Sequence, residues 1–146
     1  MSLLDRLRLP GRHMRHARVL VGALAGFDIW LGGTALLAPA FYVSLLHPGT
    51  AGDPTYLLQR TGVVWLGYAA FQAVAALRAP KEPAWLLVVA ALRLIEVPAD
   101  PVYIAGVTGL SQMGLMGIGG APVFNLVVGL YLAAVWRGAR EPPRSA

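Results

Sequence analysis

The sequence has no cysteine, which excludes disulfides, thiolate metal sites and cysteine nucleophiles at once. It is also poor in charge: Asp, Glu, Lys and Arg make up 13% of its residues, against about 25% in soluble domains. Its three histidines, His13 and His16 near the start and His47 alone, have no second ligand at metal-binding spacing. A phosphate loop and a nucleophile elbow are missing, and Gly117-x-Gly119-Gly120 is too short for a dinucleotide fingerprint and follows no strand. No metal and no other cofactor is expected.

What the chain has is apolar length. Hydrophobic residues make up 57% of its 146 positions and come in long blocks instead of at amphipathic spacing. A soluble domain of this size has too little interior to hide such blocks, so lipid must cover the remainder. The net charge of +5 invites a nucleic-acid partner, but the basic residues flank the apolar blocks, as topology signals do, and no nucleic acid is expected. Arg6, Arg8, Arg12, Arg15 and Arg18 precede the first block in the manner of a signal peptide. The block itself exceeds the roughly 7–15 apolar residues of such peptides and contains Asp28, so a retained span is expected.

The fold class read from this pattern is an all-α integral membrane protein, a bundle of four antiparallel transmembrane helices behind a short basic leader. The leader covers residues 1–18, the bundle 19–139 and a tail 140–146. Pro10-Gly11 is expected to break the leader, whose Leu3, Leu4, Leu7 and Leu9 fit either an interfacial helix or a flexible basic tail. Spans are expected at 19–38, 56–77, 84–107 and 121–136, the last with room to extend to 139, and a short interfacial helix over 40–46. Each comes close to the ~20 residues that cross ~30 Å of hydrocarbon. Lysine and arginine are absent from the 47–55 and 108–120 connections and present in the leader, the 78–82 turn and the tail. The positive-inside rule then puts both termini and the middle turn in the cytoplasm, and a multi-pass place in the cell inner (cytoplasmic) membrane is expected. Small residues such as Gly22-x-x-x-Gly26, Gly32 and Gly62 are expected at helix–helix contacts within the chain.

The residues most able to carry chemistry are the charges inside the spans: Asp28, Arg60, Arg93, Glu96 and Asp100. At the bilayer centre each costs about 2.5–3.5 kcal/mol on insertion scales, so they should face one another. At ~1.5 Å per residue Asp28 and Arg93 both lie about 14 Å from the cytoplasmic end, while Arg60 lies level with Asp100. Asp28 is therefore expected to pair with Arg93, and Arg60 with Glu96 and Asp100, leaving one carboxylate in excess. Arg93, Glu96 and Asp100 follow at i, i+3 and i+7 on one helix face, beside Pro98 and Pro101. Trp30 and Trp65 lie deep enough to line a pocket near them, and Gln59, Gln72 and Asn125 are available as hydrogen-bonding groups.

Leu57-Leu58-Gln59-Arg60-Thr61-Gly62, then Leu66-Gly67-Tyr68 and Leu92-Arg93-Leu94, resemble a widespread group of uncharacterised bacterial four-helix membrane proteins that are loosely DoxX-like. The resemblance covers about a third of the chain and implies the same four-helix architecture. Where the group implies an acidic residue early in the fourth helix, this chain has Asn125.

Three functions fit these residues. The first is a non-enzymatic accessory or structural subunit of a membrane assembly, held together by a buried ion-pair network. The second is a binder or isomerase of a lipophilic molecule, using the intramembrane carboxylates. The third is a proton or ion path. The lipid bilayer is the partner common to all three, with other membrane subunits or a lipophilic ligand beside it. A packed interior, a cavity touching Glu96 or a continuous polar file would distinguish them.

Overall fold

The computed structural model of the chain describes residues 10–49 and 53–140. Among them are five helices and no strand: α1 (Pro10–Leu37), α2 (Pro39–Leu46), α3 (Thr55–Arg78), α4 (Ala84–Gly106) and α5 (Gln112–Arg140). Proline sets two of the helix starts. Pro10 is the first residue of α1, and Pro39 opens α2, positions where its missing N–H is no loss. Ala38, just before Pro39, leaves helical geometry and bends the chain between the two. The expected break at Pro10-Gly11 is therefore a helix start, while the segment before it and the tail from 141 onward lie outside the described residues. Pro98 and Pro101 in α4 and Pro122 in α5 sit within unbroken helices. Each frees the carbonyl four residues earlier, so Leu94, Val97 and Ile118 lose a helical bond.

A second departure from the sequence pattern is the start of α5. The glycine- and methionine-rich stretch expected as an outer connection is helical from Gln112 onward. Ser111 makes this possible: its Oγ accepts the Gly114 N–H at 2.9 Å, satisfying a donor that a helix start leaves free. Gly114 then lets α5 press on the end of α2, since a side chain there would meet the Leu46 carbonyl.

α1 packs mainly on α3, and α4 on α5, with fewer contacts between the two pairs. Both pairs are antiparallel. In the first, Gly32 near the end of α1 meets Gly62 near the start of α3, each so close that a Cβ would lie 2.7 Å from the other's carbonyl oxygen. In the second, Gly129 lies against Ala90 and Leu94, and Gly119 against Ile104. The Gly22-x-x-x-Gly26 motif does not take part: a Cβ at either glycine meets nothing within 4 Å, and both face out of the bundle. Small residues such as Ala35 and Ala90 are buried beside these glycines, as expected when close packing has to hold helices together.

The four long helices close tightly at one end, around Val21, Leu24, Leu86, Val89, Val128 and Leu132. Arg18 Nε donates to the Ala76 carbonyl at 2.7 Å there, tying α1 to the last turns of α3. At the other end they spread, and α2 lies across the gap. Its last carbonyls are taken by the α4–α5 connection: Ser111 Oγ donates to Leu45 O at 2.8 Å and Ser111 N to Leu46 O at 3.0 Å. Gly49 N donates to Gly109 O at 3.0 Å, and Gly109 has φ +78°, a left-handed conformation open to glycine. A Cβ on Gly109 would collide with the Gly49 backbone as well.

His47, directly after α2, is 5% exposed and stacks edge-on against Tyr103, whose hydroxyl lies 3.3 Å from Nδ1. Burial pushes its pKa below the ordinary value. The folded state thus disfavours a proton that the unfolded chain accepts, so stability is fullest above the unfolded pKa of about 6.5 and declines as pH falls below it. The thermal midpoint is expected to drop with acidification less steeply in His47→Gln than in the parent. Parallel profiles would mean that His47 takes up a proton freely in place.

α1 from Arg12 to Leu37 and α5 are each long and apolar enough to cross a membrane. α3 and α4, which carry Gln59, Arg60 and Gln72, and Arg93, Glu96 and Asp100, fall short of that apolarity.

Candidate functional site

A layer of polar side chains crosses the bundle just beyond its tight end, and every long helix contributes to it. α1 supplies Asp28, 1% exposed, and the α1–α3 contact sets Gln72 opposite it. Gln72 Nε2 donates to Asp28 Oδ2 at 2.7 Å, and Arg93 of α4 donates to the same oxygen through NH2. Arg93 NH1 reaches Glu96 Oε2, one turn along α4, at 3.3 Å. Asn125 of α5 completes the file, donating from Nδ2 to Glu96 Oε2 at 3.0 Å. Burial raises the stakes of each bond, since an ionised group out of water and unpaired costs several kcal/mol. Among the described residues, three buried polar atoms have no hydrogen-bond partner: Gln72 Oε1, Arg93 Nε and Asn125 Oδ1.

Directly against this layer lies a cavity of about 330 Å³. Its polar end is formed by Asp28, Arg93, Glu96, Asp100 and Asn125. Apolar and aromatic side chains make the rest, with Trp65 and Tyr42 packed 6.0 Å apart on one side and Leu45 and Leu46 of α2 above. Phe27, Trp30, Phe41, Met113 and Phe124 also line it, and all five are about half exposed, from 48% to 58%. They come from α1, α2 and α5 and form the exposed mouth of the cavity between those helices. The volume lies in the lower part of the roughly 300–1,000 Å³ range of small-molecule sites.

Of the residues singled out in the sequence, Asp28 and Arg93 are brought together, and Glu96, Asp100, Trp30, Trp65 and Asn125 share the cavity with them. Arg60 is not among them. It is exposed and makes no hydrogen bond or ion pair with any described residue, so its expected pairing with Glu96 and Asp100 does not form. Arg60 points to a different side of α3 from the buried Gln72, and depth along a helix carries no such angle. Glu96 takes Asn125 as its second partner instead. Gln59 lies outside the cavity and donates to the Leu36 carbonyl at 3.3 Å, holding the end of α1 to α3. Asp100 has no hydrogen-bond or ion-pair partner among the described residues.

Phe41, Met113 and Phe124 were not legible as site residues. Nothing in their local sequence marks them, because α2 folding back over the gap is what brings the first of them to the mouth. No group of three or more His, Asp or Glu among the described residues is placed to hold a metal ion. Comparison with family models, curated proteins and solved structures gives no match for the chain.

Proposed function

We propose that the chain is a multi-pass protein of the bacterial inner membrane that holds a lipophilic molecule in the cavity beside Glu96. The observation that carries this reading is the cavity itself, with apolar walls, a polar inner end and a mouth on the flank of the bundle. An accessory subunit held by an ion-pair network has no need of such a void. A proton path is disfavoured by direction: the polar file runs across the bundle from α3 to α5, and packed Val21, Leu24, Leu86 and Val128 close the tight end beneath it.

Four spans are favoured by what α3 and α4 bury and what they show. At ~1.5 Å per residue they extend about 36 and 34 Å, enough to cross the hydrocarbon. Their polar groups turn inward, with Gln72 fully buried and Arg93 5% exposed. Their outward faces carry Leu57, Val63, Phe71, Leu77, Ile95 and Val102, all at least 48% exposed. That is the reverse of a soluble bundle, whose outward helix faces are polar. Arg60 sits in the second turn of α3, near enough to the end for its long side chain to reach the interface. A membrane also explains the mouth, since a ligand dissolved in lipid meets it directly.

The test uses the two tryptophans at the cavity. In a Trp85→Phe, Trp136→Phe background only Trp30 and Trp65 remain. Bromoundecanol, a brominated amphiphile, is expected to quench them saturably in purified protein. Gly117 borders the cavity and a Cβ there meets nothing within 4 Å, so Gly117→Phe should fill space without strain and abolish saturation. Quenching that rises linearly and equally in both proteins would reduce the cavity to a lipid-filled crevice.

A further inference from the structure

We infer that the cavity's polar end is built for a protonated amine, which makes the ligand a lipophilic alkylammonium. The inference rests on the cavity reading above and adds the chemistry of the ligand's head. Charge is the first ground. Three carboxylates, Asp28, Glu96 and Asp100, border the cavity against a single cation, Arg93. Arg93 spends NH2 on Asp28 and NH1 on Glu96, and Asp100 has no partner among the described residues. Arg60, which would have lessened the excess, points elsewhere and is exposed. In a water-poor site an excess of negative charge favours a ligand that brings a positive one.

Hydrogen bonding gives a second and independent ground. Asn125 is 4% exposed and lines the cavity; its Nδ2 is committed to Glu96, and its Oδ1 is buried with no partner among the described residues. A buried acceptor without a donor costs about 1–3 kcal/mol, and a ligand N–H beside it would remove that cost. This favours an amine that keeps an N–H over a quaternary ammonium. The walls point the same way. Trp30, Trp65, Tyr42 and Phe27 supply aromatic rings, whose faces attract cations, and an apolar lining suited to an alkyl chain. A bare metal cation is a poor fit, because it would need about six oxygen ligands and no group of three acids or histidines among the described residues is placed to hold one. Glu96 and Asp100, one turn apart on α4, would flank the ammonium, with the chain leaving through the mouth.

The experiment compares heads on one tail. Bromoundecylamine, bromoundecanol and bromoundecanoic acid are titrated into the protein with Trp30 and Trp65 as reporters, in neutral detergent near neutral pH. The amine is expected to bind about tenfold or more tightly than the alcohol, and the carboxylate most weakly. Asp100→Asn, which removes a charge held in no hydrogen bond or ion pair with a described residue, should narrow the amine's advantage over the alcohol to about twofold or less. The trimethylammonium analogue should fall between the two. Equal binding of all three heads, or tightest binding of the carboxylate, would overturn the amine assignment and leave the cavity reading intact. No saturable quenching by any head would defeat the cavity reading itself. The comparison of heads on the parent protein stands even if Asp100→Asn does not fold.

Discussion

Arg93→Leu is expected to cost about 3–5 kcal/mol of stability, the usual penalty for leaving a buried charge without its partner. The guanidinium joins Asp28 and Glu96, and the Arg93 and Asp28 side chains are 6% and 2% exposed. After the substitution, among the described residues, Asp28 keeps the Gln72 amide alone and Glu96 keeps Asn125 alone. Arg60→Leu serves as the control. Arg60 is exposed and engages no described group, so its loss should stay within about 0.5 kcal/mol. Adding Asp28→Leu to Arg93→Leu should recover part of the loss, because removing both members of a buried pair is far cheaper than removing one. Thermal unfolding of the four proteins in one detergent checks the ordering. Equal midpoints for Arg93→Leu and Arg60→Leu would mean that the ion pair is not formed in the folded protein.

The second large effect is expected at Gly62. A Cβ there would lie 2.7 Å from the Gly32 carbonyl oxygen, 3.0 Å from Leu36 N and 3.2 Å from the Ala35 Cβ. Two of these three neighbours are backbone, which cannot swing aside as a flexible side-chain tip does. Gly62→Leu therefore has to push α1 from α3 along their closest line of contact, at about 1–3 kcal/mol or more. Gly26→Leu, on the open side of α1, should be close to neutral or slightly stabilising, since leucine favours a helix by several tenths of a kcal/mol over glycine. Similar thermal midpoints for the two would show that α1 and α3 do not meet through Gly32 and Gly62.

These two predictions mark how far the sequence could be read. Helix positions were legible because long apolar blocks between proline- and charge-rich turns leave little choice. Arg93 with Asp28 was legible too, because two unlike charges at matching depth in apolar segments have few other partners. What depth could not supply was direction around each helix. Arg60 and Gln72 lie on one helix, and only packing decides that Gln72 looks inward. The small-residue motif failed in the same way: Gly22 and Gly26 match the spacing of a contact, yet Gly32 and Gly62 make it. The start of α5 was hidden because glycine and methionine between two spans read as a connection, and Ser111 reveals its capping role only once α2 is beside it. Asn125 was legible as a polar group in an apolar span, whereas the cavity it borders is a property of four helices and α2 together.

A cavity fed from lipid requires α3 and α4 to cross the membrane, although neither is apolar enough to declare it alone. Because the chain has no cysteine, single cysteines placed at Asp53, Lys81 and Thr108 are each the sole target of a membrane-impermeant thiol reagent. All three positions are exposed, Asp53 before α3, Lys81 between α3 and α4, and Thr108 after α4. In intact cells Asp53→Cys and Thr108→Cys should label, and Lys81→Cys should label after the membrane is opened. That pattern requires both helices to span. Labelling of Lys81→Cys from the same side as the other two would mean that α3 and α4 stay on one face while α1 and α5 alone cross, and the cavity would then have no lipid to draw from.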